Sequence, residues 1–215
     1  MLELGLKTLL SYLIGSLNGS LLLGKLTGGP DVRTVGSGNA GGTNALRARG
    51  RWFALGVVII DVGKGYLCVW LLPDMTLPGV TADGSVSSEW LALACAGAAV
   101  VGHCYPLWFG FAGGKGGATA IGALLALAPA LLVPALLVWL LVAVMTGFVG
   151  LSTMMAAAVL PVYVAMMGLD GQRELFLFLL LLALFIFYTH RSNIQRMLRR
   201  EEHRMAGMMI LRRSR

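Results

Sequence analysis

Apolar residues fall in long blocks along this chain, and the lengths of those blocks predict its elements. Runs from about Leu4 to Leu23, Trp52 to Leu72 and Glu89 to Trp108 each approach the roughly 20 residues that a helix needs to cross a bilayer. From Ala118 to Met167 the chain is nearly continuously apolar, too long for one span and too short for three full ones. Pro129 and Pro134 predict a break near Ala130, and Gly147 to Ser152 predict a second. The division gives a short fourth helix, a fifth from about Leu131 to Thr146 and a sixth from about Leu151 to Met167. A seventh follows from about Glu174 to Tyr188. No segment alternates with period two over strand length, as a membrane barrel requires. The pattern predicts an all-α integral membrane protein of seven transmembrane helices, a single membrane-embedded domain over 1–215 with a basic tail from about 190.

The polar blocks between these spans are as informative as the spans. Gly28 to Gly50, GGPDVRTVGSGNAGGTNALRARG, gathers Asp31, Arg33, Ser37, Asn39, Thr43, Asn44 and Arg47 among glycines. Glycines let successive N–H groups point into one concavity, and arginines around them supply fixed positive charge, the chemistry of an anion cradle. A flexible linker would show Gly/Ser repetition with few structured polar residues. A second block, FAGGKGGATAIG, sets Lys115 among four glycines and resembles a phosphate-binding nest, without the spacing or flanking strand of a nucleotide P-loop. A third, THRSNIQRMLRREEHRM, follows the seventh span.

Within the spans, Ser11, Ser16, Asn18 and Ser20 with Gly15 and Gly19 form a small, polar face suited to close helix packing. Asp61 and Lys64, three apart, share a helical face and can compensate each other's charge. Two uses fit that pair: holding the bundle together, or contacting substrate. His103, near a helix end, has the same two readings.

Composition agrees with a membrane chain. Hydrophobic residues make up 57% and charged residues 13%, about half the usual charged fraction of roughly a quarter. The formal net charge of +7 first suggests nucleic acid, but membrane chains place bases to orient themselves, and no nucleic-acid partner is expected. With seven spans, Lys25, Arg33, Arg47, Arg49, Arg51, Lys115 and the arginines after His190 share one side. Asp74, Asp83, Glu89, Asp170 and Glu174 share the other, with Arg173 the exception. The N-terminus is then outside, the C-terminus cytoplasmic, and all three polar clusters face the cytoplasm. Cys68, Cys95 and Cys104 lie in or beside apolar segments with neither disulfide nor metal-ligand spacing. The first apolar run has no basic n-region and no small-residue cleavage site, so it reads as a retained helix.

The convergent groups are Ser37, Asn39, Asn44, Arg47, His103, Lys115, His190, Arg191 and Asn193, mostly cations and amide donors. An anionic substrate follows, with room for more than one phosphate, and the adjoining apolar spans suit an acyl chain. Acyl transfer between two phosphorylated molecules is one reaction such a site could run. His103, His190 and His203 all lack an Asp four residues on, which leaves the His-Asp mechanism of many lipid acyltransferases without support. No His, Cys and carboxylate set shows metal spacing. A transporter for an organic phosphate would use similar groups, but it usually shows internal repeats and a midplane site, and neither is visible.

Five pieces of this chain resemble one family. They are DVRTVGSGNAGGTNALR at Asp31 to Arg47, DVGKG at Asp61 to Gly65, GHCYP at Gly102 to Pro106, GGKGGAT at Gly113 to Thr119, and HRSNIQR at His190 to Arg196. In that order they are similar to the bacterial acyl-phosphate:glycerol-3-phosphate acyltransferases, and they span nearly the whole chain. The resemblance implies a seven-helix enzyme of the bacterial plasma (inner) membrane that moves a fatty acyl group from acyl phosphate to glycerol 3-phosphate, giving lysophosphatidate and phosphate. It implies no cofactor, no coenzyme A thioester and no metal, with membrane lipid as surroundings. By position, Ser37, Arg47, Lys115 and Asn193 match active-site residues, with His103 and His190 near them. Gly36, Gly38, Asn39, Thr43 and Asn44 match one phosphate-binding loop, and Gly113, Gly114 and Gly116 the second. The chain departs from the family pattern at Asn18, usually Pro, at Ala112, often Lys, and at Arg200, usually Gly.

An acyl phosphate is a mixed anhydride with a good leaving group, so such an enzyme needs mainly to orient two anions and offset their repulsion. Direct attack by the acceptor hydroxyl is expected, since Ser37 shows no His–carboxylate partner. His103 and a substrate phosphate oxygen are both candidates to take the proton.

Overall fold

A computed structural model describes residues 1–205, 207 and 209. Among them it contains helices, turns and loops and no strand. Ten α-helices follow in order: α1 (Leu2–Gly15), α2 (Gly19–Thr27), α3 (Gly42–Arg49), α4 (Arg51–Leu71), α5 (Ser88–Cys104), α6 (Gly117–Leu127), α7 (Leu132–Thr146), α8 (Val149–Met167), α9 (Arg173–Thr189) and α10 (Arg191–Leu198). Among the described residues, four helical stretches are long and apolar enough to cross a membrane, and up to six if two bent pairs each count as one. The helix Gly117–Leu127 is shorter, with 11 residues, and at 1.5 Å per residue falls short of the hydrocarbon thickness. The end of the basic tail, 210–215, lies outside the described residues, as do 206 and 208.

The chain forms two compact units, Met1–Pro129 and Ala130 onward. In the first, α1 packs on α5 and α4 on α6. Glycine makes both approaches possible. A Cβ at Gly65 would overlap the Thr119 carbonyl and one at Gly122 the Val62 carbonyl, so α4 and α6 meet backbone to backbone; Gly15 and Gly102 do the same for α1 and α5. Close crossings of this kind replace the hydrophobic driving force that lipid does not supply. In the second unit α8 packs against both α7 and α9, and α10 touches α8 and α9. Val133, Leu136, Leu137, Leu140 and Leu141 of α7 stay exposed, as suits a lipid-facing helix.

Most elements lie where the hydrophobic pattern puts them, including the break at Pro129–Leu131, which forms a 3₁₀ turn. The first apolar run is different. In place of one helix over about Leu4–Leu23, it breaks between Gly15 and Gly19 with a bend of 48°. Asn18 is the cause: its side-chain oxygen accepts from the Leu21 N–H at 3.3 Å and from the Ser20 hydroxyl at 3.0 Å, an N-cap that starts α2 afresh. The Gly19 N–H is then free of α1 and donates to Asp61 Oδ1 at 3.0 Å. Pro161 lies inside α8, where the sequence reading placed no break, and the helix continues through it. Cys68, Cys95 and Cys104 are buried free thiols.

Candidate active site

The first glycine-rich block folds as a loop with a 3₁₀ turn at Val32–Thr34, followed by α3. Asp31 caps that turn by accepting from the Arg33 N–H at 2.9 Å and pairs with the Arg33 guanidinium at 2.7 Å. The guanidinium beside it holds the Asp31 carboxyl below the usual carboxylate range. Asn44 holds the rest of the loop. Its carbonyl oxygen accepts from the Ser37 N–H at 3.0 Å, and its amide donates to the Val32 and Val35 carbonyls at 2.7 and 2.9 Å. Gly36, at φ 60°, is required there, because a Cβ would overlap the Asn44 oxygen. Asn44 is therefore buried and committed to loop backbone. Ser37, Asn39 and Thr43 are half-buried around it, with Gly38 and Arg47 exposed.

The second block is locked to the first within the same unit. Arg33 donates to the Phe109 and Ala112 carbonyls at 2.9 and 3.0 Å, and the Ala40 N–H donates to the Gly113 carbonyl at 3.4 Å. The loop also closes on the end of α5, where the Gly113 and Gly114 N–H groups donate to the Cys104 and His103 carbonyls, each at 3.1 Å. Neither α3 nor α6 carries a side-chain N-cap. Their first-turn amides therefore stay available to an outside acceptor, the arrangement by which helix N-termini hold anions. Gly116, at φ 89°, makes the turn into α6, and Lys115 beside it is half-buried.

His103 lies under this loop rather than beside it. A Cβ at Gly114 would overlap its Nε2, so only glycine lets the loop pass over the ring. On the other side His103 Nδ1 is 3.0 Å from Lys64 Nζ and 3.2 Å from Asp61 Oδ1. Lys64 and Asp61 form the expected pair at 2.8 Å. Asp61, Lys64 and His103 are 1%, 5% and 2% exposed, so this node is interior.

In the second unit, the α9–α10 junction bends by 53° and carries the third cluster. His190 Nδ1 is 2.8 Å from the Ile186 carbonyl, which makes it the protonated nitrogen. Asn193 is buried; its amide donates to Glu202 Oε1 at 2.8 Å, and Arg196 Nε donates to Glu202 Oε2 at 2.6 Å. A Cβ at Gly150 would crowd the Asn193 amide. Between α8 and α9 runs an apolar groove of about 540 Å³, lined among others by Ala158, Pro161, Phe176 and Leu184.

Three features escaped the sequence. Arg33 read as one positive charge among several, whereas it is neutralised by Asp31 and joins two loops. Glu202 carries its own signal in the sequence, an acidic pair inside a basic run. The link from Lys64 to His103 crosses 39 positions and left no local trace. Among the described residues no group of three or more His, Cys, Asp or Glu side chains gathers as a metal site.

A helical membrane protein with two interlocked glycine-rich loops, basic residues on both and uncapped helix starts beside them belongs to the class of membrane enzymes that handle phosphorylated substrates. Residues 6–200 match the family model described as glycerol-3-phosphate acyltransferase. Curated relatives include the glycerol-3-phosphate acyltransferases of Prochlorococcus marinus (strain MIT 9215), 37% identical over 91% of this chain and 94% of that one, and of Azotobacter vinelandii (strain DJ / ATCC BAA-1303), 41% identical over 92% and 98%. Among solved structures, the glycerol 3-phosphate form of PlsY (YgiH), an integral membrane glycerol 3-phosphate acyltransferase, is 31% identical with a TM-score of 0.80, covering 94% of this chain and 95% of that one. Its lysophosphatidic acid form is 30% identical with a TM-score of 0.78, covering 94% of each. The chain belongs to the glycerol-3-phosphate acyltransferase family.

Proposed function

We propose that this acyltransferase takes its acyl group from an acyl phosphate and delivers it to glycerol 3-phosphate. The observation that carries this is the lock between the two glycine-rich loops, made by Arg33 and by the Ala40–Gly113 hydrogen bond. It holds Ser37 and the first-turn amides of α3 in fixed register with Gly113, Gly114, Lys115 and Gly116. Two phosphate-bearing reactants repel each other, and a pair of rigid anion cradles offsets that repulsion with little reorganisation during reaction.

In the reaction, the hydroxyl oxygen of glycerol 3-phosphate attacks the acyl carbonyl carbon, and the bond from that carbon to the phosphate oxygen breaks. Inorganic phosphate leaves with the electron pair, and the hydroxyl proton passes to a base. Arg47 and Lys115 balance phosphate charge, and Ser37 and Asn193 are assigned as donors to the developing oxyanion. Gly36, Gly38, Asn39 and Thr43 form the first cradle, with Asn44 holding its shape. His190 is assigned as a substrate contact. No coenzyme A thioester, metal or other cofactor enters, and the helices run as seven spans with the N-terminus outside and the polar face in the cytoplasm of the bacterial inner membrane.

The test is phosphate release by detergent-purified protein supplied with palmitoyl phosphate and glycerol 3-phosphate, with acyl coenzyme A as the parallel donor. Acceptor-dependent release from acyl phosphate, lost in Lys115→Ala, is the expected result. Binding of glycerol 3-phosphate without acyl transfer from either donor would favour a transporter instead. A radiolabelled acyl group left covalently on the protein without acceptor would rule out direct attack.

A further inference from the structure

We infer that Lys64, held by Asp61, fixes His103 as the tautomer protonated on Nε2, so that the imidazole serves the Gly113–Gly116 loop as a neutral hydrogen-bond donor to phosphate. The functional half of this rests on reading that loop as a phosphate site; the tautomer itself does not.

The argument begins with the hydrogens on Lys64. An ammonium has three, and Lys64 Nζ has three acceptors: Asp61 Oδ1 at 2.8 Å, His103 Nδ1 at 3.0 Å and the Leu17 carbonyl at 3.1 Å. All three bonds form only if Nδ1 offers its lone pair. A proton on Nδ1 would donate to Asp61 Oδ1, but it would also face an ammonium hydrogen and leave one buried Lys64 donor unmade, a loss of the kind that costs more than the bond gains. Asp61 Oδ1 already receives both Lys64 and the Gly19 N–H at 3.0 Å. Imidazolium is disfavoured as well, since it would set a second buried cation against the first with one carboxylate between them.

With Nδ1 an acceptor, the proton of neutral imidazole resides on Nε2. That nitrogen is the atom a Cβ at Gly114 would overlap, and it has no hydrogen-bond partner among the described residues. His103 therefore presents an N–H at the glycine loop from beneath, where the Gly113 and Gly114 N–H groups already donate to the Cys104 and His103 carbonyls. A nitrogen already protonated cannot also receive the acceptor hydroxyl's proton. Lys64 and Asp61 act through His103 and are positioning residues.

The experiment labels the imidazole nitrogens isotopically in the full chain, purified in detergent, and reads their protonation by NMR near neutral pH. Comparison with His103→Gln assigns the His103 signals among those of three histidines. The expected wild-type spectrum shows His103 protonated on Nε2 alone, and Lys64→Met moves the proton to Nδ1, where Asp61 can accept it. Kinetics are measured with glycerol 3-phosphate varied at fixed acyl phosphate, then the reverse. Lys64→Met and His103→Leu should each raise one of the two KM values by about tenfold or more with a smaller change in kcat. His103→Gln, which can supply an N–H at a similar place, should stay within about threefold. The substrate whose KM moves is the one whose phosphate the loop holds.

A wild-type His103 protonated on Nδ1 or on both nitrogens overturns the inference, as does an unmoved proton in Lys64→Met. Unchanged KM values in His103→Leu overturn the donor role. If Lys64→Met does not fold, the wild-type spectrum and the Leu–Gln contrast decide. Failure of the acyl-phosphate reading would show instead as wild-type protein inactive with that donor, and the spectrum would still read the tautomer.

Discussion

Lys7 and Lys64 are both buried lysines paired with a carboxylate on their own helix, yet their surroundings put them to different uses. Lys7 bonds to Glu3 at 2.7 Å and to the Pro73 carbonyl at 2.6 Å, while Glu3 accepts from the Asp83 N–H at 2.8 Å. Asp83 in turn bonds the N-terminal ammonium. This network ends on loop backbone and ties α1 to the segment after α4. Lys64 makes the same kind of pair with Asp61 and spends its next hydrogen on an imidazole whose far nitrogen faces a glycine loop. An ion pair inside a bundle is weak support for stability, since two apolar residues often serve as well. The difference at Lys64 is that the pair reaches an imidazole rather than loop backbone.

The largest effect should come from filling the space between His103 and the loop. Gly114→Val is expected to lower turnover by about 100-fold or more in protein that still unfolds cooperatively. Gly5, near the Lys7 end, has nothing within 4 Å of an added Cβ, and Gly5→Ala should leave turnover unchanged. Equal losses would erase the distinction between the two ends.

Next come the ion pairs themselves. Asp61→Leu strands a buried lysine and should cost about 3–5 kcal/mol of stability, and Glu3→Leu should destabilise in the same direction. The doubles separate them. Glu3→Leu with Lys7→Met should recover both stability and turnover, whereas Asp61→Leu with Lys64→Met should recover stability and keep a raised KM. Thermal unfolding beside steady-state kinetics reads both quantities.

A smaller effect is expected at the lock between the loops. Arg33→Ala removes two charge-assisted bonds to the Phe109 and Ala112 carbonyls, and kcat/KM should fall by about tenfold with little change in Tm, because the bundle does not depend on that side chain. Full activity in this variant would show that the loops keep their register without it.

The smallest is a dependence on acid. Hydrogen bonds from the N-terminal ammonium and Ser85 hold the Asp83 carboxyl down at about 2, below its ordinary 3.8. A depressed carboxylate stabilises the fold above its unfolded-state value, and that contribution is lost as pH falls through the folded value. The Asp83 contribution should therefore persist at neutral pH and fade between about 3.8 and about 2. Asp31, lowered by Arg33, should fade below 3.8 in the same direction. Unfolding temperatures of Asp83→Asn and wild type should converge across that window, with only a slight difference above it.

The helices were legible because lipid imposes a long-range average on sequence. Twenty or so apolar residues in a row leave few alternatives, and Pro129 with Gly147 marked the breaks in the longest run. The bend at Asn18 was not legible, since one polar residue in an apolar run is as often a packing contact as a cap. Only the Leu21 N–H and the Ser20 hydroxyl turned toward it settle the matter. Around the site, the two glycine-rich blocks with their basic residues stand out by composition alone. Asn44 stood in the same block as Ser37 with the same polarity, and nothing local distinguished the residue that holds the loop from those that line it.

The sequence by itself determined the membrane setting, the approximate helices, the two glycine-rich loops with their basic residues and the pairing of Asp61 with Lys64, because each follows from composition or from spacing within one element. Tertiary structure alone decided that Arg33 joins the two loops, that α4 and α6 touch backbone to backbone at Gly65 and Gly122, and that Lys64 reaches His103. Those contacts join residues tens of positions apart, and hydrogen bonds and close packing act over a few ångströms. No periodicity along the chain records which distant groups will meet at that range.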